Sequence, residues 1–333
     1  MKYLSIPSSI RVLKITSPIS RFFHWFKRYL DTILQIKHFP NSLCIVGAGV
    51  IGCEYATIFA TMGTKVYLVN DKDQILPHVD KEVSAELVKL MEGSGVKIIF
   101  NMSIDQIHTE GTKVSIHLQS GEKLSVDMYL YAAGRSGNIQ ALHLEKAGVK
   151  TGKRETIEVD ADYRTNIPNI FAVGDVIGFP ALASTSMDQG RVEVAHMFQT
   201  KDLERLSTVV PYGIYTIPEV SMVGLTEEEA EEKGVDYCVG KARYADMSRG
   251  RIMGATAGFL KLVFDRKDLQ VIGVHIIGHI AVELIHYGVM LVKEKKDLYD
   301  VIGEVFNYPT LHDLYKYAAY DGLGNLSGHK IKD

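Results

Sequence analysis

Long apolar runs are absent from this chain of 333 residues. No 18 consecutive residues are all apolar, which argues against a membrane span. Cysteine is scarce: Cys44, Cys53 and Cys238 are scattered, odd in number and outside any C-x-x-C spacing. That excludes a disulfide framework and a cysteine-based metal centre, leaving small core residues and a reducing cytoplasm as the reading. Excess charge is lacking too, since a net charge of -3 gives no electrostatic case for nucleic acid. What remains, 46% hydrophobic and 23% charged residues, is the composition of a globular protein long enough for two or three domains.

The organising stretch runs from Ser42 to Ala56. A short apolar run, Leu43 to Val46, meets Gly47, Gly49 and Gly52, and a helical pattern continues to Gly63. This is G-x-G-x-x-G on a strand-to-helix turn. The first glycine permits the tight turn, the second lets backbone approach a pyrophosphate, and the third lets helix and strand pack closely. The helix N-terminus then faces the negative charge. The same sequence as a mere glycine-rich turn is the competing reading, and the flanking strand and helix patterns weigh against it.

Residues 1–40 form an atypical leader. Lys2, Arg11, Lys14, Arg21, Lys27 and Arg28 all precede the first acid, Asp31. Ile19, Phe22, Phe23, Phe26, Leu30 and Ile33 recur at helical spacing, so an amphipathic basic helix is predicted, of a kind shared by transit peptides and membrane-surface helices. A second strand is predicted over Lys65 to Val69, and Asp80 is placed to cap a helix running through Glu92. Lys97 to Phe100 reads as a third strand, and Lys113 to Leu118 with Lys123 to Val126 as a hairpin around Ser120-Gly121. Met128 to Ala132 is a buried strand ending at Gly134 and Arg135. Ile170 to Val173 reads as another strand, delivering Asp175 to an exposed end where it could meet a ligand hydroxyl or simply cap a turn. A helix follows over Ala181 to Gln199.

The last third changes character. Thr226 and Glu229 make a capping box for an acidic helix. Strands over Leu260 to Phe264 and Val271 to Ile276 precede helices over Ala281 to Lys293 and Asp313 to Tyr320, an α+β order. His275, His279 and His286 lack any ligand spacing and read as packing or surface residues, so no metal site is expected.

Four segments in register, GAGVIGCEYA (47–56), AAGR (132–135), TNIPNIFAVGD (165–175) and YTIPEVSMVGLTEEEA (215–230), resemble the pyridine nucleotide–disulfide oxidoreductase family of flavoproteins. The resemblance runs from about Ile33 to Leu326. It implies an α/β fold: a Rossmann-type NAD(P)-binding domain at 41–140, the C-terminal part of an FAD domain at 141–207, and an α+β dimerisation domain at 208–333. By the same resemblance Gly47, Gly49 and Gly52 hold the nicotinamide nucleotide's pyrophosphate. Glu54, read as a first-turn residue, sits near nicotinamide and flavin, or is simply an acid favoured by the helix dipole. Gly134 and Arg135 line the nucleotide site, Asp175 binds the flavin's ribityl chain, and the backbone after it, Ala183 included, reaches the isoalloxazine. No residue is assigned a catalytic acid or base role.

Within the family, Leu182 to Ser184, Asp188 to Arg191, Phe306 to Thr310 and Ala318 to Leu323 look like members that pass hydride between NADH and NADPH. Disulfide-reducing members carry His-Pro-Thr with a Glu three residues on; here Tyr308 and Asp313 take those places. A phenol cannot replace imidazole as an acid/base near neutral pH. Two alternatives stay open: a disulfide oxidoreductase of the lipoamide dehydrogenase kind, and a non-enzymatic nucleotide-binding, dimerising fragment.

The family's opening FAD fingerprint and its C-x-x-x-x-C are not found in residues 1–32. FAD is therefore implied by resemblance but not expected to stay on this chain, which should be colourless and without hydride-exchange activity. NAD(H) and NADP(H) are both expected to bind. Asn70, neutral, ends the second strand where NAD-specific sites place an acid, and Lys72 follows, although Asp71 could act as that acid. The implied partners are nicotinamide nucleotides and a second copy of the chain.

Overall fold

The computed structural model describes residues 27–28, 30–200 and 205–328. The amphipathic helix expected between Ile19 and Ile33 falls mostly outside them. The chain divides into two compact bodies, one made of 19–133 with 209–333 and the other containing 134–208.

In the first body β1 (Lys27–Arg28) and a single helical turn, α1 (Leu30–Ile33), precede the glycine-turn unit. β2 (Ser42–Val46) leads into α2 (Val50–Thr61), followed by β3 (Lys65–Val69), α3 (Lys81–Gly93) and β4 (Val96–Ile99). An antiparallel meander, β5 (Ile104–Glu110), β6 (Lys113–Leu118) and β7 (Lys123–Val126), returns the chain to β8 (Met128–Tyr131). The main sheet is parallel in the order β1-β8-β2-β3-β4. Its central strands β8, β2 and β3 are largely apolar on both faces, as parallel strands covered on both sides must be. Leu43, Ile45, Val66, Leu68 and Leu130 are all fully buried, each worth about 1.5–3 kcal/mol. Asp80 caps α3 as expected, accepting from the N–H groups of Glu82 (3.1 Å) and Val83 (3.3 Å).

The second body contains α4 (Leu144–Ala147) and α5 (Ala183–Phe198), with a small core of Ile139, Val149, Ile157 and Ala172. The strand expected over Ile170 to Val173 is not formed. Phe171 makes only an isolated bridge to Arg164, and Gly174 already begins a 3-10 turn. The run is apolar like a strand, but its partners lie in the short loop 163–165 rather than in a sheet.

Back in the first body, β9 (Tyr212–Ile214), β10 (Glu219–Gly224), α6 (Glu227–Glu232), β11 (Tyr237–Arg243), α7 (Ser248–Met253), β12 (Phe259–Asp265) and β13 (Val271–Gly278) follow. The five strands form an antiparallel sheet in the order β11-β12-β13-β10-β9. Helices α8 (Ala281–Lys293), α9 (Leu298–Gly303) and α10 (Asp313–Ser327) cover it. The Thr226–Glu229 capping box is present at the start of α6. On α8 the buried residues are Ala281, Leu284, Ile285, Gly288 and Leu291. Val282, Val289 and Val292 on the same helix are half-buried. One apolar core joins both segments of this body: Ile214, Val220, Phe259 and Ile277 pack with the residues of β2, α2 and β3.

Candidate nucleotide site

The first two glycines of the turn behave differently from each other. Gly47 has φ +99°, and a side chain there would meet Ala132 O and Ala133 Cα at 2.7 Å. Gly49 starts α2 with no side-chain cap, and a Cβ on it would find no atom within 4 Å. Gly52 is closed again, since its Cβ would lie 1.8 Å from Gly47 O. Two glycines thus fold the backbone tightly on itself, and the one between them faces open space at an uncapped helix N-terminus. An uncapped N-terminus carries free N–H donors and partial positive charge. The arrangement suits a pyrophosphate.

Asn70 joins this turn in a way its position in the sequence did not reveal. It is buried, and its Oδ1 accepts from Ala48 N–H at 3.3 Å. Its Nδ2 donates to Lys72 O (3.2 Å) and Gln74 O (2.9 Å). Leu76 N–H donates to Ala48 O at 3.0 Å, and Gly47 N–H to Val69 O at 2.9 Å. Ala48, between the first two glycines, is therefore held from both sides by the 70–76 loop. Asp71 and Lys72 on that loop are exposed.

Glu54 is the fifth residue of α2, past the first turn where it was expected. Its Oε1 accepts the Tyr215 N–H at 2.9 Å, and the neighbouring Thr57 Oγ1 accepts the Ile217 N–H at 3.2 Å. A cavity of about 600 Å³ opens beside Tyr215, lined among others by Pro218, Glu219, Thr256 and His279. No glycine-turn residue lines it.

Gly134, Arg135, Asp175 and Ala183 belong to the other body. Gly134 has φ +123°, and Arg135 is exposed. Asp175 is exposed, with Oδ1 accepting from Ser186 Oγ at 3.3 Å, while Gly174 N–H donates to Gln189 Oε1 at 2.7 Å. Ala183 is the exposed first residue of α5, whose N-terminus also lacks a side-chain cap. This donor and acceptor set suits a polyol chain and the polar edge of a planar ring. Among the described residues of this body no glycine turn offers a second pyrophosphate cradle, so they do not fit a whole FAD.

Sequence reasoning missed a charged cluster in the first body. Lys261, fully buried on β12, donates to Asp80 Oδ1 and Glu227 Oε1, each at 2.6 Å, and to Glu82 Oε2 at 3.3 Å. A lysine inside a strand pattern was the available signal. Burial works to lower its pKa, but the Asp80 and Glu227 carboxylates outweigh it and hold the ammonium above its ordinary value. Burial would raise Asp80, yet its carboxyl lies below the usual range. The neighbouring His275 and the Lys261 ammonium draw it down, helped by the Val83 N–H bond, while burial holds the His275 imidazole below its own ordinary value.

Comparison with known proteins adds the decisive observation. Residues 20–190 match the profile described as Pyridine nucleotide-disulphide oxidoreductase, and residues 210–319 match the dimerisation domain of the same name. The chain belongs to the pyridine nucleotide-disulphide oxidoreductase family. The match begins ahead of Ile33, the start of the resemblance carried by the sequence motifs. Among relatives, the soluble pyridine nucleotide transhydrogenase of Azotobacter vinelandii is 44% identical over 89% of this chain and 64% of its own length. That of Pseudomonas putida (strain W619) is 41% identical over the same shares. The chain thus spans just under two thirds of the length of these relatives. A solved structure, the HOCl-induced flavoprotein disulfide reductase RclA from Escherichia coli, matches with a TM-score of 0.84 and 28% identity. It covers 93% of this chain, which in turn covers 72% of that one.

As a family member, the chain has the mixed α/β fold with a parallel sheet and a dimerisation domain. Among the described residues no helix is long and apolar enough to cross a membrane.

Proposed function

We propose that this chain is the nicotinamide-nucleotide-binding and dimerising part of a transhydrogenase, a protein that exchanges hydride between the NADH and NADPH pools. The observation that supports it best is the open, uncapped Gly49 between two glycines locked in backbone contact. Gly47, Gly49 and the first turn of α2 hold the pyrophosphate, the exposed pair Asp71 and Lys72 meets the adenosine ribose, and Asn70 sets the loop that carries them. The bound nucleotide supplies or accepts the hydride. Glu54 fixes α2 against the 212–218 segment rather than moving a proton. In the other body, Asp175 and Ala183 offer one end of a flavin site. The described residues do not fit the whole of a flavin.

Disulfide chemistry is the weaker reading. Cys44, Cys53 and Cys238 are all buried and free, and burial pushes the first two thiols up to about 12. Such thiols are inert as nucleophiles near neutral pH. Tyr308, at the place of the reductases' histidine, is exposed and hydrogen-bonded to Ser248 Oγ at 2.6 Å. Reduced thiols also favour the cytoplasm, and the dimerisation domain supports a homodimer.

Mixing the protein with NADPH and thio-NAD, with and without added FAD, tests the reading. The protein alone should elute colourless from gel filtration and bind NADPH without turnover. A yellow protein that reduces lipoamide but not thio-NAD would overturn it.

A further inference from the structure

We propose that Lys261, on β12, is a positioning residue for the nucleotide: through Asp80 it braces the 70–80 loop that holds the glycine turn. The inference rests on the reading of that turn as a nucleotide site.

The connection runs through hydrogen bonds joined by single steps along the chain. Lys261 Nζ donates to Asp80 Oδ1 at 2.6 Å, and that same oxygen caps α3 through Glu82 and Val83. One residue further, Ser84 Oγ donates to Ile75 O at 2.9 Å. Leu76 N–H donates to Ala48 O, and Asn70 links Ala48 N–H to Lys72 and Gln74. Ile75, Leu76 and Val79 are buried beneath this path, so the loop cannot shift without repacking. Lys261 lies 181 residues from Asp80 in the chain, within the segment matched as the dimerisation domain.

Three carboxylates converge here, Asp80, Glu82 and Glu227, in a spacing that would suit a divalent cation. The Lys261 ammonium already stands among them and serves as their cation. Lys241 adds a second positive charge on Glu82 at 2.7 Å. Asp80 Oδ2 and the Nδ1 of His275 are both buried with no hydrogen-bond partner among the described residues. All of the Asp80 carboxylate's hydrogen bonds thus fall on Oδ1, and Lys261 is its one side-chain donor among the described residues. Together with the two N–H groups of its own helix, the ammonium holds this buried carboxylate in place, and it supplies the only compensating charge in direct hydrogen-bond contact with it among the described residues. Removing it favours a conformation in which Asp80 turns toward water, which the 70–80 loop would have to follow.

The test is titration of NADPH and NADH into the full chain, with hydrogen exchange read in parallel, for Lys261→Met, Lys261→Arg and Asp80→Asn. Asparagine keeps the helix cap but loses the charge. Lys261→Met and Asp80→Asn should weaken both nucleotides about tenfold, within the usual span of coupling between sites. Exchange should quicken over residues 70–80 while 134–200 stays as in the wild type. Lys261→Arg should restore both readouts, which a general loss of packing would not. If Lys261→Met does not fold, Asp80→Asn carries the same expectation. Unchanged affinity together with unchanged exchange over 70–80 in either folded variant overturns the proposal. A wild-type chain that binds no nucleotide defeats the proposed function instead, and exchange over 70–80 still decides whether Lys261 braces the loop.

Discussion

Glu54 Oε1 accepts the backbone N–H of Tyr215 at 2.9 Å, tying the helix behind the glycine turn to the entry of the C-terminal sheet. The two residues are 161 positions apart, and the neighbouring bond from Ile217 N–H to Thr57 Oγ1 doubles the tie. Glu54→Ala leaves the Tyr215 N–H without its acceptor and should cost about 1 kcal/mol. Glu54→Gln keeps an acceptor oxygen and should melt close to the wild type. Thermal denaturation of the two variants decides it; equal losses would mean the bond contributes nothing specific.

Gly52→Ala should be far more damaging. Its Cβ would sit 1.8 Å from Gly47 O, a backbone atom that cannot move aside without opening the turn. A loss of about 1–3 kcal/mol is expected from overpacking alone, together with loss of NADPH binding. Denaturant unfolding and a nucleotide titration measure both. A variant as stable as the wild type would show that α2 is not packed on β2 as described.

Asn70→Asp changes one atom and reverses the local hydrogen bonding. The amide nitrogen that donates to Lys72 O and Gln74 O becomes a carboxylate oxygen facing two carbonyl oxygens. At this buried position the change should cost about 1–3 kcal/mol and weaken NAD(H) and NADP(H) alike. Lys72→Glu, on the exposed loop, should instead weaken NADP(H) selectively, because it sets a carboxylate against the 2′-phosphate. Paired titrations separate them; a selective effect of Asn70→Asp would return the 2′ reading to Asn70 itself.

The Lys261 cluster sets a pH dependence of stability. Asp80 lies below its ordinary pKa when folded, so its contribution is present above the unfolded carboxylate range and lost as pH falls through the folded value. Lys261 lies above its ordinary value, so its contribution is present below about pH 10.4 and lost as pH rises through the folded value. His275 is held neutral, so the unfolded chain gains protons first below about pH 6.5 and stability begins to fall there. Lys261→Met should cost about 3–5 kcal/mol at pH 7 by stranding the buried Asp80 carboxylate. The gap should narrow toward about pH 4, where Asp80 can take a proton in the variant. A gap independent of pH would contradict the ion-pair account.

Local features were legible in the sequence because a few neighbouring residues decide them. The glycine turn, the Asp80 cap, the Thr226–Glu229 box and the strand Lys65–Val69 all stand where residue type and spacing place them. β11 was not legible, since Cys238, Gly240 and Ala242 alternate inward as small residues with little hydrophobic signal. They are small because α10 lies close: a Cβ on Gly240 would come within 2.0 Å of Ala318 O. Nor could sequence show that Asn70 faces inward, because a strand-end asparagine reads alike whether it meets a ligand or its own backbone. The Lys261–Asp80 and Glu54–Tyr215 bonds join segments brought together only by the fold.

Titration calorimetry of NADPH and NADH with the wild-type chain and Gly49→Ala tests the central claim most directly. Gly49 has open space around it, so alanine should cost no more than its poorer helix capping, about 1 kcal/mol, and otherwise obstruct only the approach of a pyrophosphate. The wild type should bind both nucleotides saturably at one site per chain. Gly49→Ala should bind them about tenfold or more weakly, a loss of about 1.4 kcal/mol. A folded wild-type chain with no saturable binding, or an alanine variant that binds as tightly, would contradict the account.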